Sequence, residues 1–338
     1  MAYTAIDDPE AYFQVKTYTG DGSTPSITLD GDTDMQPDFV WIKNRDQTDD
    51  HCIFDSVRGA TKVLTPEEGA ETTDADTLTS FDSDGFALGA DVKVNTNTEA
   101  YVAWCWKESA TAGFDIVTFT GDGSARTISH SLSAVPHMYH VKGREGYPWS
   151  VYHHKNTAAP ETDKLTLGDT DATADAVSYW NDTAPTSSVF SLGTTADVNA
   201  DTKVYMAYLW RSVQGFSKFG SYTGNGNVDG TFVYTGFRPA WIMIKGPSQT
   251  QSWIILDTKR SPYNLVGEDE LLANLSDAEN SSSWNPNTSG TIMDILSNGF
   301  KIRAMATVGL STAGEPYTYM AFAEAPFVNS NGVPCNAR

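Results

Sequence analysis

Two short polar runs carry side chains able either to hold a ligand or to pin a loop. Asp55-Ser56-Val57-Arg58 and Asp257-Thr258-Lys259-Arg260 each follow an apolar pair, Ile53-Phe54 and Ile255-Leu256. A carboxylate and a guanidinium three residues apart beyond a strand end form a charge-assisted pair. Turned outward the pair is a polar contact site; turned inward it ties the loop. A second pattern, Trp180-Asn181 and Trp284-Asn285, lies in polar, turn-rich stretches. An exposed indole stacks on a sugar ring while the amide beside it supplies directed hydrogen bonds; a buried indole would instead lid a sheet and leave Asn to shape the turn. Asp55, Arg58, Asp257, Arg260, Trp180, Asn181, Trp284 and Asn285 are therefore the candidates for ligand or receptor contact.

Other chemistry finds little support. Asp30-Gly31-Asp32-Thr33-Asp34, Asp82-Ser83-Asp84-Gly85 and the pair Asp169 and Asp171 invite a calcium reading. Calcium needs six to eight oxygens, and none of these runs has the spacing of a calcium loop. Asp84-Gly85 and Asn298-Gly299 read as turn-makers. Nucleophile elbow, phosphate loop and zinc-protease helix motifs are all missing. The six histidines (His51, His130, His137, His140, His153, His154) fall mostly in one stretch. The expectation is a non-enzymatic protein with no catalytic residues, no metal and no cofactor.

The elements that must carry these residues repeat. Thr19-Gly20-Asp21-Gly22 recurs as Thr120-Gly121-Asp122-Gly123 and Thr223-Gly224-Asn225-Gly226. Pro37 to Lys43 recurs as Pro136 to Lys142 and Pro239 to Lys245. Tyr101-Val102-Ala103-Trp104 recurs as Tyr205-Met206-Ala207-Tyr208, with Tyr319-Met320-Ala321-Phe322 as the third copy. A period near one hundred residues is too long for a solenoid unit, so each copy should be a domain with its own core. The copies run over 12–109, 113–213 and 215–328, with a tail over 329–338, and the joints between them are short enough to favour packed neighbours. In the second copy His153 and Asn156 stand at the Asp and Arg positions, so any site there is altered.

Apolar runs are short, aromatic or β-branched, and closed by Gly, Asn, Asp or Pro, the mark of an all-β chain. Three tandem β-sandwiches of jelly-roll or lectin-like type are expected, with little helix. The Thr-Gly-Asp-Gly element suits a turn, since Asp-Gly tolerates positive φ. In Tyr101 to Trp106 both alternating sets are apolar, which predicts a strand covered on both faces where neighbouring copies meet. Helical turns are expected at Thr65-Pro66-Glu67-Glu68, with a cap and an N1 proline, and over Glu268 to Asn274.

Bulk properties narrow the partners. The chain has 338 residues, 40% hydrophobic and 12% aromatic, with 22 basic against 43 acidic side chains and a net charge of −21. Such a field opposes nucleic acid and anionic membranes and favours solubility. No apolar run reaches membrane-spanning length, so no membrane insertion is expected, and the start carries no secretion-signal pattern. Three cysteines, Cys52, Cys105 and Cys335, form no disulfide framework and fit folding in a reducing cytosol.

Phe39-Val40-Trp41-Ile42-Lys43-Asn44-Arg45, Ile53 to Ala60, Ser80 to Phe86 and Tyr101 to Trp106 resemble a repeat family of unassigned function. Gly215 to Gly220, Gly236 to Trp241 and Tyr319 to Phe327 resemble its last copy. The family is common in fibre- or appendage-type virion proteins of marine and freshwater tailed phages, cyanophages among them. The resemblance implies a virion component made in the host bacterial cytoplasm and supplies no catalytic residues. The expected role is a tail fibre or receptor-binding module on the particle exterior. Its partners would be other virion proteins and a host surface glycan or receptor, with a homotrimer open. The sequence shows no heptad shaft, collagen-like stalk or anchoring segment before the first copy, which favours a capsid decoration protein as the alternative. A carbohydrate-binding protein is the third.

Overall fold

The last strand of each copy has two apolar faces, and that dictates the architecture. The structure, a computed structural model, describes residues 3–66, 69–262, 264–266, 269–279, 291–303 and 309–335. Its regular structure is almost entirely antiparallel β. The first segment holds β1 (Phe13–Thr19), β2 (Ser26–Thr28), β3 (Phe39–Asn44), β4 (Cys52–Asp55), β5 (Lys62–Val63), β6 (Thr72–Thr73), β7 (Leu78–Asp82), β8 (Gly85–Leu88) and β9 (Ala100–Trp106). The second holds β10 (Phe114–Thr120), β11 (Arg126–Ser129), β12 (Met138–Gly143), β13 (Ser150–His153), β14 (Asp163–Thr166), β15 (Ala174–Asp175), β16 (Val189–Leu192) and β17 (Val204–Trp210). The third holds β18 (Ser217–Thr223), β19 (Phe232–Tyr234), β20 (Phe237–Lys245), β21 (Ile254–Asp257), β22 (Asn264–Val266), β23 (Leu271–Leu272), β24 (Thr291–Leu296), β25 (Gly299–Ile302) and β26 (Pro316–Pro326).

One strand order recurs. The larger sheets run β1-β9-β3-β4, β10-β17-β12-β13-β14-β15 and β18-β26-β20-β21-β23. In each, the segment's last strand lies between its first strand and the strand that carries Lys43, Lys142 or Lys245. Smaller sheets, β2-β8-β7, β11-β16 and β19-β25-β24-β22, lie over them. Between the two layers of the first segment sit Tyr101, Ala103 and Cys105 with Ile27, Phe54 and Phe86; the other segments enclose corresponding clusters.

The opposite faces of the three larger sheets meet in a fourth, shared cluster. Val102, Trp104 and Trp106 join Met206, Tyr208 and Trp210 of the second segment and Met320 and Phe322 of the third. Trp41, Trp104, Trp106, Trp149, Trp210, Trp241 and Trp253, seven of the chain's nine tryptophans, lie in it. The bulkiest side chains therefore fill the junction of the segments, which individual cores alone would not provide.

Pairing register places the third landmark two residues earlier than the sequence pattern. Thr19 faces Ala100, Thr120 faces Val204 and Thr223 faces Pro316. Tyr101 and Tyr205 therefore correspond to Tyr317, and their partner on the first strand is in each case an aromatic ring stacked on it: Tyr18, Phe119 and Tyr222. A shift of two keeps every side chain on its face, so the pattern stayed apolar on both sides while the alignment was wrong.

The repeated Gly-x-Gly turn has a steric cause. A Cβ on Gly20, Gly121 or Gly224 would lie 2.1, 2.1 or 2.3 Å from a carbonyl oxygen of the facing loop. Gly22, Gly123 and Gly226 have φ of 66°, 71° and 69°, a region that glycine enters without penalty. The loops are tied from behind by Asn95 and Asn199. Each accepts from the Asp amide of the motif (Asp21 or Asp122) through Oδ1 and donates through Nδ2 to Ser23 O or Ser124 O.

One helix expectation needs correction, and another falls partly outside the described residues. Leu271–Leu272 is strand β23, because Leu271 must cover the shared core beside Ile255; Glu268 lies outside the described residues. Of Thr65 to Glu68, Glu67 and Glu68 lie outside the described residues, and the preceding Leu64 bridges Ile53 in extended form. Among the described residues the short α-helices are α1 (Val92–Asn95), α2 (Val177–Trp180) and α3 (Ala196–Asn199). Among the described residues no helix is long and apolar enough to cross a membrane.

Because the junction is as well packed as the segments, the chain should unfold in one cooperative transition, and Trp241→Ala should lower its stability by about 3–5 kcal/mol. Differential scanning calorimetry resolving three independent transitions would contradict the shared core.

Candidate functional site

The paired Asp and Arg residues are interior staples. Asp55 and Arg58 have fully buried side chains and form an ion pair, as do Asp257 and Arg260 at 2.6 Å. Arg58 also donates to Ile53 O and Lys62 O at 3.0 Å each, so the guanidinium holds the loop that follows β4. The inward, loop-tying arrangement is the one present, and no face of either pair is open to a ligand. What the sequence did not disclose is that both pairs reach neighbouring segments. Tyr208 Oη donates to Asp55 at 2.6 Å, and Trp104 Nε1 donates to Asp257 at 3.0 Å. In the second segment His153 donates through Nε2 to Tyr319 O at 3.2 Å, with Nδ1 accepting from the Lys155 amide.

Two further sets of bonds close around the same centre. His51, Trp149 and Trp253 each immediately precede the fourth strand of their segment. Their ring N–H groups donate to Leu272 O at 3.1 Å, Thr65 O at 2.7 Å and Thr166 O at 2.7 Å, one segment to the next. Trp41 Nε1 donates to His51 Nδ1, which fixes the tautomer. Backbone amides of Glu71, Thr173 and Glu279 donate to the carbonyls of Arg144, Pro247 and Arg45 at 2.8, 2.7 and 2.8 Å. Glu71 additionally binds Arg58 and Arg144, and Glu279 binds Arg260 and Arg45. Burial works against the Arg58 cation, but Tyr208, Asp55 and Glu71 beside it more than offset that, and its pKa lies above the ordinary value.

Trp180 is also interior. Its ring is fully buried, packs edge-on to Tyr139 at 4.9 Å and donates to Asp163 O at 3.0 Å. It lids the second segment and offers no stacking face, which corrects its reading as a contact residue. Asn181 is exposed and caps α2 with φ of 54°. Trp284 and Asn285 lie outside the described residues. Asp30 pairs with Lys16, and Asp84 Oδ1 accepts from the Met35 amide at 3.3 Å. Among the described residues no three His, Cys, Asp or Glu side chains converge as a metal site would require.

The open feature lies elsewhere. A groove of about 910 Å³ runs between β18 and β19, the edge strands of the third segment's two sheets. Tyr3, Phe232 and Tyr234 line it and are 58%, 45% and 55% exposed. Its floor has exchanged partners relative to the other segments. Lys16 faces Ala103 and Val117 faces Ala207, whereas Gly220 faces Tyr319. A Cβ on Gly220 would lie 2.6 Å from Tyr319 Oη, so the tyrosine has taken the space that a first-strand side chain fills elsewhere. Val233 corresponds to Ile27 and Ile128 by pairing, since all three face a phenylalanine. Phe232 and Tyr234 thus replace Ser26 and Thr28, and Thr127 and Ser129. The only sequence signal was that aromatic replacement at exposed positions, visible once the register is known.

A family model described as "Domain of unknown function (DUF7483)" matches residues 8–326. The chain belongs to this family. A comparison with curated proteins returns no match. The family match runs as one unit across all three segments, as the shared core requires.

Two outcomes follow from the buried groups. Arg58→Ala leaves the Asp55 carboxylate buried with Tyr208 and the Arg58 amide as its remaining donors, and should cost about 3–5 kcal/mol in denaturant titration. A loss below about 1 kcal/mol would place the pair at the surface. The histidines set the acid limb: burial holds His51 well below its ordinary value, His137 at about 4, His140 and His153 at about 3, and His154 lowered. As pH falls below about 6.5 the unfolded chain takes up protons that the folded chain refuses, so stability drops towards pH 4 at about 1.4 kcal/mol per pH unit for each such group. Glu108 and Glu270, raised to about 7 by burial, and Asp91, also raised by burial, act in the opposite sense but are three groups against five. Urea midpoints at pH 7 and 4.5 measure the balance, and a higher midpoint at 4.5 would refute it.

Proposed function

We propose that this protein is a non-enzymatic structural component on the exterior of a tailed-phage particle, with attachment to the host surface as its task. The observation that carries the reading is a contrast within the molecule. The Asp55–Arg58 and Asp257–Arg260 pairs are spent on interior staples, while the third segment keeps an open groove with exposed aromatic residues. A rigid body with a single differentiated face suits adhesion, since a preorganised surface loses little entropy on binding. The sequence resemblance to virion proteins of the appendage type supports the setting. Placed there, the protein is assembled from host cytoplasm into the virion, touches other virion proteins through its remaining surfaces, and presents the groove outward.

A second reading, a decoration protein seated on the capsid, draws support from the closed ring of three segments, which matches a threefold position of a shell in shape. Gold-labelled antibody against the protein should decorate purified particles at the tail tip or fibres. Label confined to the shell would transfer the assignment to decoration, and particles without label would end both.

A further inference from the structure

Resting on the attachment reading, we propose that the groove between β18 and β19 is a binding site for an acidic saccharide, a chain carrying carboxylated sugar rings. The first observation is its charge. The chain has 43 acidic residues and a net charge of −21, yet no described residue lining this groove is Asp or Glu. Two lysines, Lys155 and Lys218, line it instead. Neither forms a salt bridge among the described residues. In a protein this acidic, a groove cleared of carboxylates is a local inversion of sign. Acidic groups more than about 8 Å from a ligand seated there are screened at physiological salt.

The second observation is the lining chemistry. Phe232 and Tyr234 present ring surface to solvent, where the corresponding positions of the other segments carry only small hydroxyl side chains. Sugar rings stack their C–H faces on such rings, and their hydroxyls pair with short polar side chains. Ser221, Thr223 and Thr231 supply these at the groove. Lysine ammonium groups complement a carboxylate as compact point charges. The third observation is differentiation. Gly220 with Tyr319 rebuilds the floor, the tyrosine ring occupying space that Lys16 opposite Ala103, and Val117 opposite Ala207, take in the other segments. Part of the rim is fixed by the neighbouring segment: His154 Nε2 donates to Phe219 O at 3.0 Å, and Ser212 Oγ accepts from the Phe219 amide at 3.1 Å. The groove therefore rests on a stapled junction and is preorganised.

Isothermal titration calorimetry of the full chain tests this with a galacturonic acid hexasaccharide, a neutral cellohexaose and a poly-glutamate peptide. The acidic saccharide should bind at least ten-fold more tightly than either control. Phe232→Ser with Tyr234→Thr, which installs the side chains of the first segment, should weaken it ten-fold or more, as should Lys155→Gln with Lys218→Gln. These positions lie at the groove surface, so the melting temperature should stay within a few degrees and report that the variants are folded. Equal binding of the neutral sugar or the peptide, no binding of the acidic sugar, or indifference to both surface variants would overturn the proposal. Particle labelling is read separately, so a groove that binds nothing leaves the exterior assignment standing or falling on its own result.

Discussion

Everything in this fold depends on a strand that cannot be satisfied by one sandwich. The strand that ends each segment carries large apolar groups on both faces. One face is covered by the segment's own smaller sheet. The other, with Trp104 and Trp106 or their counterparts, would be left in water if the segment stood alone. A fully buried aromatic side chain is worth about 1.5–3 kcal/mol relative to exposure, so several such groups per segment make separation prohibitively costly. Three segments around one axis bury all three faces at once. That accounts for a family unit that extends across the whole trio.

Hydrogen bonds then set the order of the segments around the axis. A hydrophobic junction is indifferent to rotation, but ring N–H groups aimed at particular carbonyls are not, and a buried donor without its acceptor costs about 1–3 kcal/mol. The ring of bonds tolerates changes of residue type wherever only one atom matters. Imidazole replaces indole at His51 because both offer a ring N–H. Pro247 replaces arginine because the bond uses only its carbonyl, which proline keeps. Where charge was essential the replacements are coordinated: the Asp, Arg and Glu of two segments become His153, Asn156 and Thr173 in the second, and Thr173 Oγ1 donates to Asn156 Oδ1 at 2.7 Å. Coordinated change of that kind avoids stranding a buried charge.

Much of the fold was legible because its signals are periodic. Alternation in Tyr101 to Trp106 marked a doubly covered strand, and the Gly-x-Gly turns marked corresponding corners. Register in the third segment was not legible, since a slip of two residues preserves alternation. The helix proposed near Leu271 failed because short leucine runs do not distinguish strand from helix. The candidate site was legible only in chemistry. The Asp and Arg spacing shows a pair able to tie a loop, but the partners from other segments, Tyr208 for Asp55 and Trp104 for Asp257, each 153 residues away, are invisible to local pattern. Trp180 beside an amide looks the same in sequence whether its ring faces solvent or core. The groove left no motif at all, because it arises from a gap between edge strands and from residues that differ from their counterparts.

Placing three similar segments in one polypeptide, instead of assembling three identical chains, frees them to diverge. A true homotrimer would repeat any groove three times. Here Gly220 and Tyr319 alter one third alone, so each molecule has a valency of one for whatever occupies it. In the proposed attachment role, firm adhesion would come from avidity, from how many molecules a particle carries and how far apart they stand, and not from the strength of any single grip.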